Sequence, residues 1–267
     1  MAGIVILTTK GEAKRDFVNA LQKETGGAVA LAVLQNVRRK SFLQRVVSFF
    51  KKVGVLGLVP ELYHFLAVKL SRQKKDALAL ISLRSRPSFE EGYLADTLET
   101  DDVNGDDVYE RVNTVRPDII VMWGGYIVKP RLLELARRAL NMHFGFTPYY
   151  RGVNGVQHAI LRNDFTHVGI TIHYAVTEVD AGEIIRVVTT DYRKSPESFF
   201  RELNDKATRE YLAIAKRIAR GEEVPGKPQD LALGRNYFLK EWTYARQDAL
   251  ARKLLAWQKH YSKPEHP

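Results

Sequence analysis

Short apolar runs alternate with amphipathic stretches along most of the chain, and that alternation is the first guide to its fold. Residues 2–8 (AGIVILT) form a compact apolar run that predicts a buried strand. Residues 11–25 then bring Phe17, Val18 and Leu21 to one side at helical spacing. Residues 28–35 (AVALAVLQ) predict a second buried strand. A β-α-β opening of this kind predicts a parallel sheet of Rossmann type. Further strands are expected at 78–81, 118–123, 140–144, 167–174 and 183–191. Helices are expected at 106–115, from Pro130 to about Arg138, at 155–163, at 195–220 and around 246–259. The resulting fold class is α/β, a Rossmann-like domain with a mostly parallel sheet, a helical insert and a small C-terminal extension. No internal repeat interrupts it.

The insert is where the alternation breaks. Segment 41–52 gathers Phe42, Leu43, Val46, Val47 and Phe50 on one helical face, and Pro60 opens a second helix through Leu62, Phe65, Leu66 and Leu70. Charge marks the same place. The chain of 267 residues carries a formal +10, yet residues 36–75 alone hold ten Lys/Arg against the single acid Glu61. Residues 76–192 are net acidic, which argues against a general nucleic-acid coat, and no nucleic-acid partner is expected. A basic amphipathic hairpin suits peripheral contact with an anionic membrane. It suits a packed helical subdomain or a homodimer contact equally well.

Composition excludes several chemistries. The chain has no cysteine, so disulfides, zinc–thiolate sites and cysteine nucleophiles are absent. The opening MAGIVILTTKGE reads as a strand rather than a secretory signal. No run approaches the length of a spanning helix, and a cytoplasmic protein is expected.

Polar and glycine signals concentrate between Asn141 and Asp180. Asn141 and His143 are two residues apart on an expected strand, so they share a side near its carboxyl end. In open α/β sheets ligands bind there. A Gly/Pro-rich loop follows (145–155), then Gly169-Ile170-Thr171-Ile172-His173, then Asp180-Ala181-Gly182. His173 reads as a structural or supporting residue, Arg151 as a phosphate ligand or a partner for a carboxylate, and Trp123 as core or as a flank of the site. No metal site is expected.

The run N141-M-H143-F-G145-F-T-P148-Y-Y150-R151-G152, followed by G169-I-T171-I-H173 and D180-A-G182, resembles the formyltransferase family that uses 10-formyltetrahydrofolate. The likeness is tightest from about Pro117 to Ile185. It implies a formyltransferase domain over 1–220, with the basic insert at about 36–75, and a C-terminal extension over 221–267. It implies 10-formyltetrahydrofolate as co-substrate and direct transfer of its formyl group to an amine. Asn141, His143 and Asp180 would be the catalytic trio. Asn141 and a protonated His143 would hydrogen-bond the developing oxyanion, and Asp180 would orient His143 and favour its cation. Gly125, Tyr126, Ile127 and Val128 would border the pteridine on one side, and Val176, Thr177 and Val179 on the other. Tyr150, Arg151 and Gly152 would border the amine substrate.

The family formylates several amines. Members acting on glycinamide ribonucleotide resemble a Gly/Ser-rich phosphate loop after the first strand, whereas Thr8-Thr9-Lys10-Gly11-Glu12 has one glycine, no serine and an acid. Members acting on methionyl-tRNA carry a C-terminal barrel, for which the stretch after Asp180 is expected to be too short. Tyr237, Phe238, Trp242 and Tyr244 could supply rings that stack on a base. The expected acceptor is therefore an amino sugar linked to a nucleotide. The alternatives are glycinamide ribonucleotide or another amine, hydrolysis of the formyl-folate, and a non-catalytic membrane-associated folate binder.

Overall fold

The computed structural model describes residues 3–36, 54, 57, 59–85, 91–125 and 127–261. Seven strands form the main sheet: β1 (Ile4–Thr9), β2 (Val29–Gln35), β3 (Thr97–Thr100), β4 (Ile119–Trp123), β5 (Arg138–His143), β7 (Ile170–Tyr174) and β8 (Ile184–Val188). Their order is β3-β2-β1-β4-β5-β7-β8. The first five run parallel, β7 is antiparallel to β5, and β8 is antiparallel to β7. A separate parallel pair joins β6 (Tyr150–Gly152) to β9 (Arg235–Tyr237).

The central strands are buried on both faces, which is why their sequences are continuous apolar runs rather than alternating ones. All six residues of β1 are buried. Ile4 and Ile6 enter the core on one face, and Val5 and Leu7 enter the core on the other. The first core is closed by α1 (Glu12–Glu24), through Phe17, Val18 and Leu21, and by α7 (Pro196–Ala219). The second is closed by α4 (Asp106–Val115), through Val108 and Val112, and by α5 (Pro130–Leu133).

Helix α7 starts where its sequence requires. The Ser195 hydroxyl accepts from the Ser198 N–H at 3.3 Å, and Pro196 occupies the first turn. Its inward face carries Phe199, Phe200, Leu203, Ala207, Tyr211, Ile214 and Ile218. Full burial of each large apolar side chain among them is worth about 1.5–3 kcal/mol. The Tyr211 hydroxyl donates to the Met122 carbonyl at 2.6 Å and accepts from the Met122 N–H at 3.0 Å, fixing α7 to β4.

Three sequence expectations are corrected. Residues 78–81 are not a strand: α3 (Arg72–Ala79) runs into a 3₁₀ turn at Leu80–Ser82, and the Ser71 side chain accepts from Lys74 N–H at its start. A four-residue apolar run is equally compatible with a buried helix turn, so periodicity could not decide it. The third parallel strand is instead Thr97–Thr100, an edge strand whose polar sequence hides it. Helix α5 stops at Leu133, and β5 begins already at Arg138.

Of the basic insert, segment 41–52 lies outside the described residues. Its second half is described and docks on the C-terminal helix α8 (Tyr244–Tyr261), through a helix over residues 59–70 (α2) and through α3. Glu61 accepts from the Tyr244 and Ala245 N–H groups at 2.7 and 3.1 Å, capping α8. Asp248, with no exposed surface, receives Lys74 at 2.6 Å, His64 at 2.9 Å and Arg252. Burial alone would raise the Asp248 carboxyl, but these neighbours outweigh it and hold it below its ordinary value. Among the described residues no helix is long and apolar enough to cross a membrane.

Candidate active site

Chain order reverses at β1, between β2 and β4, and ligands bind at the carboxyl ends of strands beside such a switch. A cleft of about 450 Å³ opens there. Its walls come from the segment after β4, from β5, from the ends of β6 and β7 and the residues after them, and from residues 236–239 at the end of β9. A second groove, of about 760 Å³, lies at the opposite ends of the strands beside Glu24 and Asp118 and contains no histidine.

Asn141 and His143 share a side of β5, as their spacing requires, and both line the cleft. Asp180 is brought to them by the turn between β7 and β8. Its Oδ1 accepts from Asn141 Nδ2 at 3.2 Å and its Oδ2 lies 3.1 Å from His143 Nδ1. The same carboxylate accepts from the Gly152 N–H at 2.9 Å and stands 3.3 Å from His173 Nε2. Burial would raise this carboxyl, but His143, His173 and the Gly152 N–H overcome it and hold it at about 2. Asp180 is therefore an anion at neutral pH. It reaches this position with φ of 52°, in the left-handed region that Asp tolerates better than most residues.

His143 is nearly enclosed. Its Nε2 lies 2.7 Å from the Tyr150 carbonyl while Nδ1 faces Asp180, so both ring nitrogens meet acceptors. Both bonds form together only in the imidazolium. Burial opposes that charge and outweighs the upward pull of Asp180 and of the Tyr150 carbonyl, leaving His143 below its ordinary value. Asp180 favours the His143 cation, and desolvation is the larger, opposing effect.

Four elements of the sequence signature have a mechanical reason. A Cβ on Gly145 would lie 2.3 Å from His143 Nε2 and 2.4 Å from the Tyr150 carbonyl. Thr171 donates to the Gly145 carbonyl at 2.8 Å and accepts from the Thr147 N–H at 3.1 Å, pinning the loop to β7. His173 donates from Nδ1 to the Tyr174 carbonyl at 2.7 Å, which turns Nε2 towards Asn141 and Asp180. A Cβ on Gly182 would lie 1.9 Å from the Tyr174 carbonyl, so only glycine lets the Asp180 turn fold back.

The other expected positions divide. Gly125, Ile127, Val128, Val176, Thr177, Val179 and Gly152 line the cleft, and Tyr126 lies outside the described residues. Gly124 and Gly125 have φ of 63° and 114°, so their backbone bends at the cleft wall with no side chain of their own. The Tyr150 ring turns away, donating to Asp164 at 2.8 Å and stacking on Tyr237 at 5.6 Å. Buried Arg151 pairs with Glu178 at 3.2 Å, the carboxylate-partner alternative. Trp123 is core, with Phe17 against its edge and the Arg84 guanidinium over its ring at 4.6 Å.

Sequence reasoning missed Gln229, whose Nε2 donates to the carbonyls of Asp180 and Gly182. It also missed Lys14 and Arg84. Lys14 Nζ would lie 3.3 Å from a Cβ on Gly124, and Arg84 also faces the ring of Phe144 in the cleft wall. Among the described residues neither cation has a carboxylate within ion-pair distance. Burial, and then Arg84, lowers Lys14, while burial pushes Arg84 down to about 10.

Comparison with known proteins accords with this architecture. A methionyl-tRNA formyltransferase from Leifsonia xyli subsp. xyli is 39% identical over 82 residues, which is 30% of this chain and 26% of that protein. The chain thus matches about a quarter of that relative's length. The fold is shared with a sugar N-formyltransferase from a Shewanella species, at TM-score 0.57 and 11% identity, covering 95% of this chain and 88% of that one. It is shared too with a phosphoribosylglycinamide formyltransferase from Anaplasma phagocytophilum, at TM-score 0.52 and 15% identity, covering 83% and 89%. Residues 2–211 match the family described as formyl transferase, and with most of its length inside that match, the chain belongs to the formyl transferase family.

Proposed function

We propose that this protein transfers the formyl group of 10-formyltetrahydrofolate to the primary amine of a nucleotide-linked amino sugar. The observation that carries the reading is the Asn141–Asp180–His143 constellation at the wall of the cleft. In this reaction the amine nitrogen bonds to the formyl carbon and the carbonyl electrons move onto oxygen. Their return breaks the bond to folate N10, which takes up a proton while the amine loses one. Asn141 serves as the neutral donor to the developing oxyanion. His143, kept mostly uncharged near pH 7 by burial, is able to accept the proton shed by the amine, and anionic Asp180 stabilises the imidazolium that results.

The cleft suits a folate headgroup in size and lining. Pockets for such ligands are commonly about 300–1,000 Å³, mostly apolar with a few convergent polar groups. Ile127 and Val176 present exposed apolar surface to the cleft. For the acceptor, one feature favours a nucleotide: Phe238 is 54% exposed at the cleft wall and offers a face for a base. We assign residues 236–239 to this acceptor side.

The test is incubation with 10-formyltetrahydrofolate and a panel comprising nucleoside-diphosphate amino sugars, glycinamide ribonucleotide and water alone. Formylated amino sugar and tetrahydrofolate in equal amounts are expected. Turnover with water alone, or folate binding without turnover on any amine, would overturn the proposal.

A further inference from the structure

Helix α2 is built inside out. Its inward side carries Glu61, His64 and Phe65, which meet the start of α8, Asp248 and the Tyr244 ring. Its outward side carries Val59, Leu62, Tyr63, Leu66 and Leu70, exposed to 75%, 48%, 66%, 41% and 77%. At 100° per residue these five fall within an arc of about 100°. A water-facing helix has the reverse arrangement, and a contiguous exposed apolar patch marks an interaction surface.

The charges around the patch identify its partner. Lys69, on α2, and Arg72 and Lys75, on the α3 that follows it, are exposed, and Arg72 also meets Asp76 at 3.7 Å. Glu61 is the one acid among residues 36–75, and it is buried in capping α8, so it neutralises none of the outer face. A second copy of this chain would bring a second Lys69, Arg72 and Lys75 against the first, and like charges repel. Nucleic acid would match the cations but leave the leucines uncovered. We propose that the outward face of α2 docks in the plane of an anionic lipid bilayer, its apolar residues in the acyl boundary and its cations at the headgroups. This surface is separate from the cleft, and its test requires no turnover.

The test is co-sedimentation of the full chain with phosphatidylcholine vesicles containing about 30 mol% phosphatidylglycerol, against phosphatidylcholine alone. Binding is expected to the anionic vesicles only, weakening as salt is raised. Combined Leu62→Gln, Leu66→Gln and Leu70→Gln substitution should weaken partitioning about 100-fold or more, since each leucine contributes its own transfer free energy. Combined Lys69→Gln, Arg72→Gln and Lys75→Gln substitution should lower affinity while leaving the apolar face intact. A Tyr63→Trp variant supplies a readout that needs no loss of function: its added fluorescence should shift to the blue on anionic vesicles. Absence of both sedimentation and shift would overturn the proposal. So would a dimer in sedimentation velocity that the leucine variant dissolves without any vesicle binding.

Discussion

The side chain of Gln229 grips the turn that carries Asp180, donating to the Asp180 carbonyl at 3.0 Å and to the Gly182 carbonyl at 2.5 Å. Asp180 thus depends on a residue 49 positions later in the chain. Gln229→Ala should lower kcat about tenfold with a smaller change in KM for the amine, because the turn loses its anchor while the cleft walls stay. Gln229→Glu should be worse than Ala, since a carboxylate faces two carbonyls. Steady-state kinetics of both variants test this, and equal kcat in all three proteins would remove the positioning role.

Replacing Asn141 or His143 with Ala should each lower kcat by about 10²–10³ while leaving far-UV circular dichroism unchanged. Asp180→Asn retains shape but removes the charge that faces both histidines, and should fall in the same range. Full activity in both Ala variants would overturn the site assignment.

The electrostatics predict a titration. Burial holds His143 below its ordinary value, and Asp180 pulls it the other way. Its NMR midpoint should lie below 6.5 in the native protein and move lower still in Asp180→Asn, since the raising charge is gone. If neutral His143 accepts the proton, the acid limb of kcat should follow the same midpoint. An upward shift in Asp180→Asn would contradict the electrostatic account.

His158 makes a second pH prediction, on stability. Burial, with Arg246 next, pushes it down to about 4, and it stacks on Tyr237 at 4.2 Å. Its folded value lies below its unfolded one, so the contribution is intact above about 6.5 and is lost as pH falls towards 4. Tm should decline across that window and decline less in His158→Phe. Parallel melting curves for the two proteins would exclude His158 as the source.

Gly182→Ala should disable the enzyme and lower Tm, because its Cβ would lie 1.9 Å from the Tyr174 carbonyl. Gly92→Ala, where a Cβ meets nothing within 4 Å, should be close to neutral. Thermal melts and initial rates for the pair provide the comparison.

Much of this molecule was legible because its information is local. The buried strands β1, β2 and β4 are apolar runs, and Asn141 and His143 betray a shared face by their spacing alone. Edge strand β3 was hidden because Thr97–Thr100 lacks the apolar pattern of a doubly covered strand. Residues 78–81 misled for the opposite reason, being apolar without enough length to declare a period. The net charge preference of His143 depends on how far the folded chain desolvates it, which no spacing encodes. Gln229 likewise works through a contact 49 positions away in the chain, which its own surroundings in the sequence do not announce.

The pairing of β6 with β9 carries a lesson about how such a catalyst can diversify. Asn236, Tyr237, Phe238 and Leu239 belong to a ribbon outside the family match, yet they wall the same cleft as the Asn–His–Asp group. On the proposed function, selectivity for the acceptor would lie on a different stretch of polypeptide from the one-carbon chemistry. Exchange of that ribbon alone could retarget the reaction while the machinery on β5 stayed untouched.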